Sequence, residues 1–158
     1  MLQFLRKTDD NSRLGALRQL FLFSTLSHSQ LRIVAGLLHE RRYMGGEIIF
    51  DEGERGEALY IIVSGRVLVC SQGEPVAERI AELDPGVVFG ELALLGNMRR
   101  ARQTRALEDC VVASLAGSDF ASLLDTHTAI AAQIALQLAR QLGRQLAQRS
   151  GNNNLAPL

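Results

Sequence analysis

The hydrophobic pattern of the chain changes its period twice. Between Ser12 and His39 apolar residues recur at spacings of three and four, first Leu14, Leu17 and Phe21, then Leu31, Val34 and Leu38. That spacing sets each trio on one face of a short helix, and the polar run Ser24, Thr25, Ser27 separates the two; the second helix is expected over 29–39. After Tyr43 the period shortens. Apolar runs at 48–50, 59–64, 66–70, 77–83 and 87–89 predict strands, and D-E-G-E-R-G-E, S-G, Q-G-E-P and D-P-G between them are turn signals. Two more strands are expected at 104–107 and 110–115. From Ser118 the helical period returns. Ser118 is expected to cap a helix with Asp119 in its first turn, and Phe120, Leu123 and Leu124 give that helix an apolar face. D-T-H-T marks a break, and 129–149 reads as one long helix rich in alanine, leucine and glutamine.

Many short strands at close spacing point to a roll or barrel rather than a parallel sheet. The expected fold class is therefore α+β: a β roll or jelly-roll barrel of about eight short strands, with N-terminal helices and a long C-terminal helix. The expected organisation is a flexible N-terminus at 1–11, one domain at 12–149 that includes the long helix, and a disordered tail at 150–158. In the long helix, Ile130, Ile134, Leu138, Leu142 and Leu146 recur every fourth residue, and Ala131, Ala135 and Ala139 allow close approach of a neighbour. A helix packed on its own barrel is one reading. The breadth of the stripe favours a helix shared with a second copy, and close packing would offset the roughly 1 kcal/mol that Gly143 costs in a helix interior.

Composition narrows the function classes. With 158 residues, 47% hydrophobic and 22% charged, the chain suits one globular domain with a real core. Seventeen basic residues balance seventeen acidic ones, so no overall field draws nucleic acid or acidic membranes. Cys70 and Cys110 lie in apolar strand-like runs and read as buried small hydrophobes rather than a disulfide framework. No segment approaches the roughly 18 apolar residues of a membrane helix, and a cytoplasmic setting is the expected default. His28, His39 and His127 are too scattered to gather on one metal ion. Asp51, Glu52, Glu54 and Glu57 read as the solvated face of a turn, and no nucleophile stands beside a base, so neither an enzyme nor a metal site is expected.

The stretch from Phe89 to Ala106, F-G-E-L-A-L-L-G-N-M-R-R-A-R-Q-T-R-A, carries the candidate chemistry. A plain turn with solvated arginines is the bland reading. The combination suits a sugar and its phosphate better: Gly90 permits close approach of the backbone, Glu91 accepts from a sugar hydroxyl, and the first amides of a short turn at Leu92 and Ala93 can face an anion. An arginine fork brought to the same point supplies charge-assisted bonds to phosphate oxygens.

These residues, F-G-E-L-A-L-L followed by R-A and a strand, strongly resemble the phosphate-binding cassette of cyclic nucleotide-binding domains. I-I-F-D-E-G-E-R-G-E-A-L-Y-I-I-V-S-G-R-V resembles the strands of the same family, with Gly53, Gly56 and Gly65 at turns. The resemblance implies ligand-binding roles for Phe89, Gly90, Glu91, Leu92, Ala93, Arg100, Ala101 and Arg102, with Glu91 on the ribose 2′-hydroxyl and Arg100 on the cyclic phosphate. A shifted register would make Arg99 the phosphate arginine. Ala101 stands where a hydroxyl residue is associated with cGMP, so cAMP is expected over cGMP. Arg102 replaces a small residue. If the strand has begun by Arg100, both arginines share a face, which allows either a second phosphate contact, as a cyclic dinucleotide would need, or a blocked pocket.

The run from Phe120 to Leu142 resembles the dimerising helix of the catabolite activator protein group, whose Q-x-A-R-x-L ending is present at 137–142. In that group the helix reaches the bound base, here near Gln145 and Leu146. Only Ser150 to Leu158 follow, so no DNA-binding domain is expected. The implied function is a stand-alone cyclic nucleotide sensor, homodimeric through its last helix, that signals to a protein partner by ordering its C-terminal helices. The alternative is a non-binding dimerisation or docking module with Arg102 in the pocket.

Overall fold

In chain order, helix α1 (Asp10–Gln19), a 3-10 turn (Phe21–Phe23) and α2 (His28–Leu37) precede the strands. These are β1 (His39–Tyr43), β2 (Ile48–Phe50), β3 (Ala58–Ser64), β4 (Val67–Cys70), β5 (Arg79–Leu83) and β6 (Val88–Phe89). A second 3-10 turn (Glu91–Leu95) leads through a loop to β7 (Gln103–Ala106) and β8 (Cys110–Ala116), and α3 (Gly117–Thr126) and α4 (Thr128–Asn152) close the chain. This computed structural model describes residues 10–71, 79–96 and 98–152. The expectations for 1–9, the Q-G-E-P turn, residues 77–78 and the tail from 153 lie outside the described residues.

Period-two alternation in two strands sets the layers. In β3, Leu59, Ile61 and Val63 face the helices while Tyr60 and Ile62 face the opposite way; in β8, Ala113 and Leu115 face the helices while Cys110 and Val112 do not. Their sheet, in the order β1-β8-β3-β6, is thus covered on one side by helices and on the other by a second antiparallel sheet, β2-β7-β4-β5. Together they form the jelly roll. One core cluster lies between sheet and helices, from Leu14 and Phe23 to Phe120, Ile134 and Leu138. A smaller one inside the roll holds Tyr43, Ile49, Phe50, Val67, Phe89 and Ala106. Cys70 and Cys110 are both buried and free.

Four expectations change. Strand β1 is absent from the predicted set because H-E-R-R-Y has no alternation: as an edge strand it buries only Tyr43. Helix α3 begins at Gly117 behind Ala116, and Ser118 is not its cap; Gly117 N donates to Glu57 O at 2.8 Å, so tertiary backbone satisfies an amide that a side-chain cap would serve. Helix α4 extends through Ser150, Gly151 and Asn152, where a disordered tail was expected. Finally, the four-residue stripe is largely consumed within the chain. Ile130, Ala131, Ile134 and Leu138 are fully buried, because α4 packs on α3 and the turn at Phe21–Phe23 and shares one core with α1 and α2.

Candidate functional site

The site is built on a backbone inversion. Gly90 sits at φ +69°, in the left-handed region where a side chain is strained. A Cβ there would also come within 2.7 Å of Arg100 Nη1. The inversion leads into the turn Glu91–Leu95, which lines a cavity of about 190 Å³ through Glu91, Leu92 and Ala93. Phe89, Gly90, Glu91, Leu92, Ala93, Arg100, Ala101 and Arg102 all line it. The eight residues singled out from sequence therefore converge on one hollow.

Arg100 is the unusual member. Its guanidinium donates from Nη1 to Gly90 O at 2.9 Å and from Nη2 to Ala58 O at 2.6 Å, and lies 4.0 Å above the Phe50 ring. The backbone on both sides is clamped, with Gly53 N on Arg100 O and Arg100 N on Glu54 O, each at 2.8 Å. Arg100 is only 8% exposed, and among the described residues it forms none of the ion pairs. Its Nε is buried without a partner. Burial pushes its pKa below the usual guanidinium value, while Tyr60, Glu54 and Glu91 pull it back. A buried cation with spare donors at a cavity wall is arranged to receive an anion.

The neighbouring arginines differ. Arg99 is exposed and donates to Gly53 O at 2.8 Å. Arg102 is exposed as well, and no hydrogen bond or ion pair ties it down among the described residues. Strand β7 starts at Gln103, so 101–102 form a bend and the same-face argument for Arg100 and Arg102 does not apply. The hollow stays open beside Arg102.

Glu91 lines the cavity and also accepts from Gln141 Nε2 on α4 at 3.3 Å, which ties the cassette to the last helix. Of the two amides expected to face an anion, Ala93 N is already bonded to Gly90 O at 3.2 Å, whereas Leu92 N has no such backbone partner among the described residues. Gln145 and Leu146, the expected base contacts, are exposed and lie outside the cavity wall.

Four wall residues, Phe50, Val69, Met98 and Thr104, carry no site signal in the sequence, and Arg99, the phosphate arginine of the shifted register, lines the wall as well. Phe50, Val69 and Thr104 come from three different strands of one sheet and meet only through its pairing. Asp51, expected on a solvated face, is half-buried and accepts from Gln103 Nε2 at 2.8 Å. Among the described residues no group of three histidine, cysteine, aspartate or glutamate side chains could hold a metal ion.

A jelly roll whose helical turn brings a carboxylate and a buried arginine to one hollow, with a long helix bonded to the carboxylate, defines a cyclic nucleotide-binding regulatory domain. Residues 40–127 match the model of the cyclic nucleotide-binding domain, and the chain belongs to that family. It is 36% identical over 108 residues to the cAMP-dependent protein kinase regulatory subunit of Debaryomyces hansenii, covering 68% of this chain and 23% of that protein. This chain thus spans about a quarter of that relative. The crystal structure of Thermus thermophilus Catabolite Activator Protein is 29% identical with a TM-score of 0.72, over 84% of this chain and 61% of that one. The regulatory domain of Toxoplasma gondii PKA, co-crystallised with cAMP, is also 29% identical, with a TM-score of 0.65 over 75% of this chain and 46% of that one.

Proposed function

We propose that the cavity binds a cyclic nucleotide, cAMP in preference to cGMP, and that binding is passed through α4 to a protein partner. The observation that carries this reading is Arg100: a buried cation without a carboxylate partner among the described residues, in the wall of a hollow that also holds Glu91. In this reading Arg100 and Leu92 N take the cyclic phosphate and Glu91 takes the ribose 2′-hydroxyl. Arg102, exposed at the mouth, adds a second cation toward the phosphate and does not fill the pocket. Ala101 offers no hydroxyl to a guanine edge, which supports cAMP, and so does the cAMP in the Toxoplasma gondii relative's name.

Transmission runs through the Gln141–Glu91 bond. A ribose hydroxyl at Glu91 changes what that carboxylate offers to Gln141, so ligand and helix position are linked; the population of the packed helix shifts only as far as the ligand prefers it. A homodimer would use the outward face of α4. Leu136 (51% exposed) and Leu146 (64% exposed) stand there with Ala132, Ala139 and Gly143, at spacings of three and four opposite the buried stripe. We place the domain in the cytoplasm; among the described residues no helix is long and apolar enough to cross a membrane.

Calorimetric titration with cAMP, cGMP and cyclic dinucleotides tests the ligand, and hydrogen exchange of residues 126–146 with and without it tests the transmission. Tightest binding of cAMP with increased protection of that segment is expected. Absence of binding to every cyclic nucleotide refutes the ligand assignment, and unchanged protection on binding refutes the route through α4.

A further inference from the structure

One wall of the cavity holds a polar atom with nothing to bond. Strand β7 alternates, so Thr104 shares with Ala106 the face turned into the roll. Its register partners are Phe50 on one side and Val69 on the other, and all three line the cavity. Thr104 is 3% exposed, and its Oγ1 is buried without a hydrogen-bond partner. Valine has nearly the same shape and would suit so apolar a wall without stranding a hydroxyl. Buried polar groups almost always have a partner, and an orphan beside an open hollow is completed by whatever occupies the hollow.

We propose that Thr104 is a further ligand-binding residue whose hydroxyl hydrogen-bonds the bound cyclic nucleotide; the proposal rests on the ligand reading above. The chemistry is complementary on both sides. A hydroxyl donates and accepts, and rotation about χ1 exchanges it with a methyl of similar size, so it can turn to either kind of group on the ligand at little packing cost. In the empty protein the same hydroxyl is a liability, since its bond with water is lost on burial and not replaced. Ligand-free stability and ligand affinity should therefore move in opposite directions when it is removed, which a residue serving only to pack the roll would not do.

The test compares wild-type, Thr104→Val and Thr104→Ser proteins. Calorimetric titration with cAMP and with cGMP reads affinity, and thermal unfolding without ligand reads stability. T104V is expected to bind cAMP roughly 2- to 10-fold more weakly, the worth of one neutral hydrogen bond, with a ligand-free melting temperature equal to or above wild type. T104S keeps the hydroxyl and should bind within about twofold of wild type on the same scale. Wild-type affinity in T104V overturns the proposal, as does weakened binding in T104V accompanied by a lower ligand-free melting temperature. If wild-type protein binds neither nucleotide, the ligand reading itself has failed; binding by wild type with no loss in T104V fails this inference alone.

Discussion

Replacing Arg100 by alanine removes the group on which ligand binding turns. In the empty protein the side chain makes two bonds to carbonyls, Gly90 O and Ala58 O, and stacks on Phe50. Those bonds are worth about 1.5–3 kcal/mol each and the stack about 0.5–2. Against them stands the desolvation of a buried cation with no carboxylate partner among the described residues, which costs several kcal/mol. The two sides are of similar size, so the ligand-free melting temperature should move little. Binding has no such offset. A charge-assisted bond to phosphate contributes about 1.5–3 kcal/mol, and its loss weakens affinity about 10- to 150-fold. At a ligand concentration of about 100 times the wild-type Kd, linkage stabilises wild type by about 2.7 kcal/mol. A variant weakened about 30-fold retains about 0.9 kcal/mol of that under the same conditions. For a domain of this size the ligand-induced rise in Tm should therefore fall from about 5–11 °C to about 2–3 °C. Thermal unfolding with and without cAMP, with calorimetry for Kd, measures both quantities. Arg100→Lys, a point charge without the planar fork, should lie between the two. An alanine variant that binds within about threefold of wild type would refute the phosphate role.

Three further outcomes follow from the same geometry. Gly90→Ala should lose more than about 1 kcal/mol of stability, because a left-handed φ strains an L-residue and the new Cβ meets Arg100 Nη1; urea unfolding with an unchanged midpoint contradicts this. Burial pushes the Cys110 thiol above its ordinary 9.0 and the Tyr43 phenol above its ordinary 10.0. Folding favours both neutral forms, so their stability is fully present below about pH 9 and is lost as pH rises through the raised folded values. Melting temperatures from about pH 7.5 to about pH 11 should fall over that window, and Cys110→Ala should soften the fall at its lower end. Leu136→Glu places a charge on the outward face of α4 while leaving the buried stripe intact; light scattering should show a wild-type dimer and a monomeric variant with unchanged far-UV dichroism, and a variant of unaltered mass contradicts the dimer face.

Periodicity and turn chemistry determined, from the amino-acid order alone, the helices, most of the strands and the roll, and resemblance to the phosphate-binding cassette of cyclic nucleotide-binding domains singled out the eight residues between Phe89 and Arg102 that line the cavity. These are local signals: apolar spacing within a dozen residues, or a glycine whose backbone must turn the wrong way for any other residue. What the order of residues left open was always a question of what lies opposite. H-E-R-R-Y forms β1 because β8 offers an unpaired edge, and Gly117 starts α3 because Glu57 O stands ready for its amide. The stripe Ile130, Ile134, Leu138 is the same whether a neighbouring copy or the chain's own elements cover it, and only packing assigns it to the latter. Three arginines within four positions look alike in sequence. Tertiary structure buries Arg100 against Phe50 between two carbonyls and leaves Arg99 and Arg102 exposed, because burying a cation requires acceptors from distant strands, and those are brought together only by the folded roll.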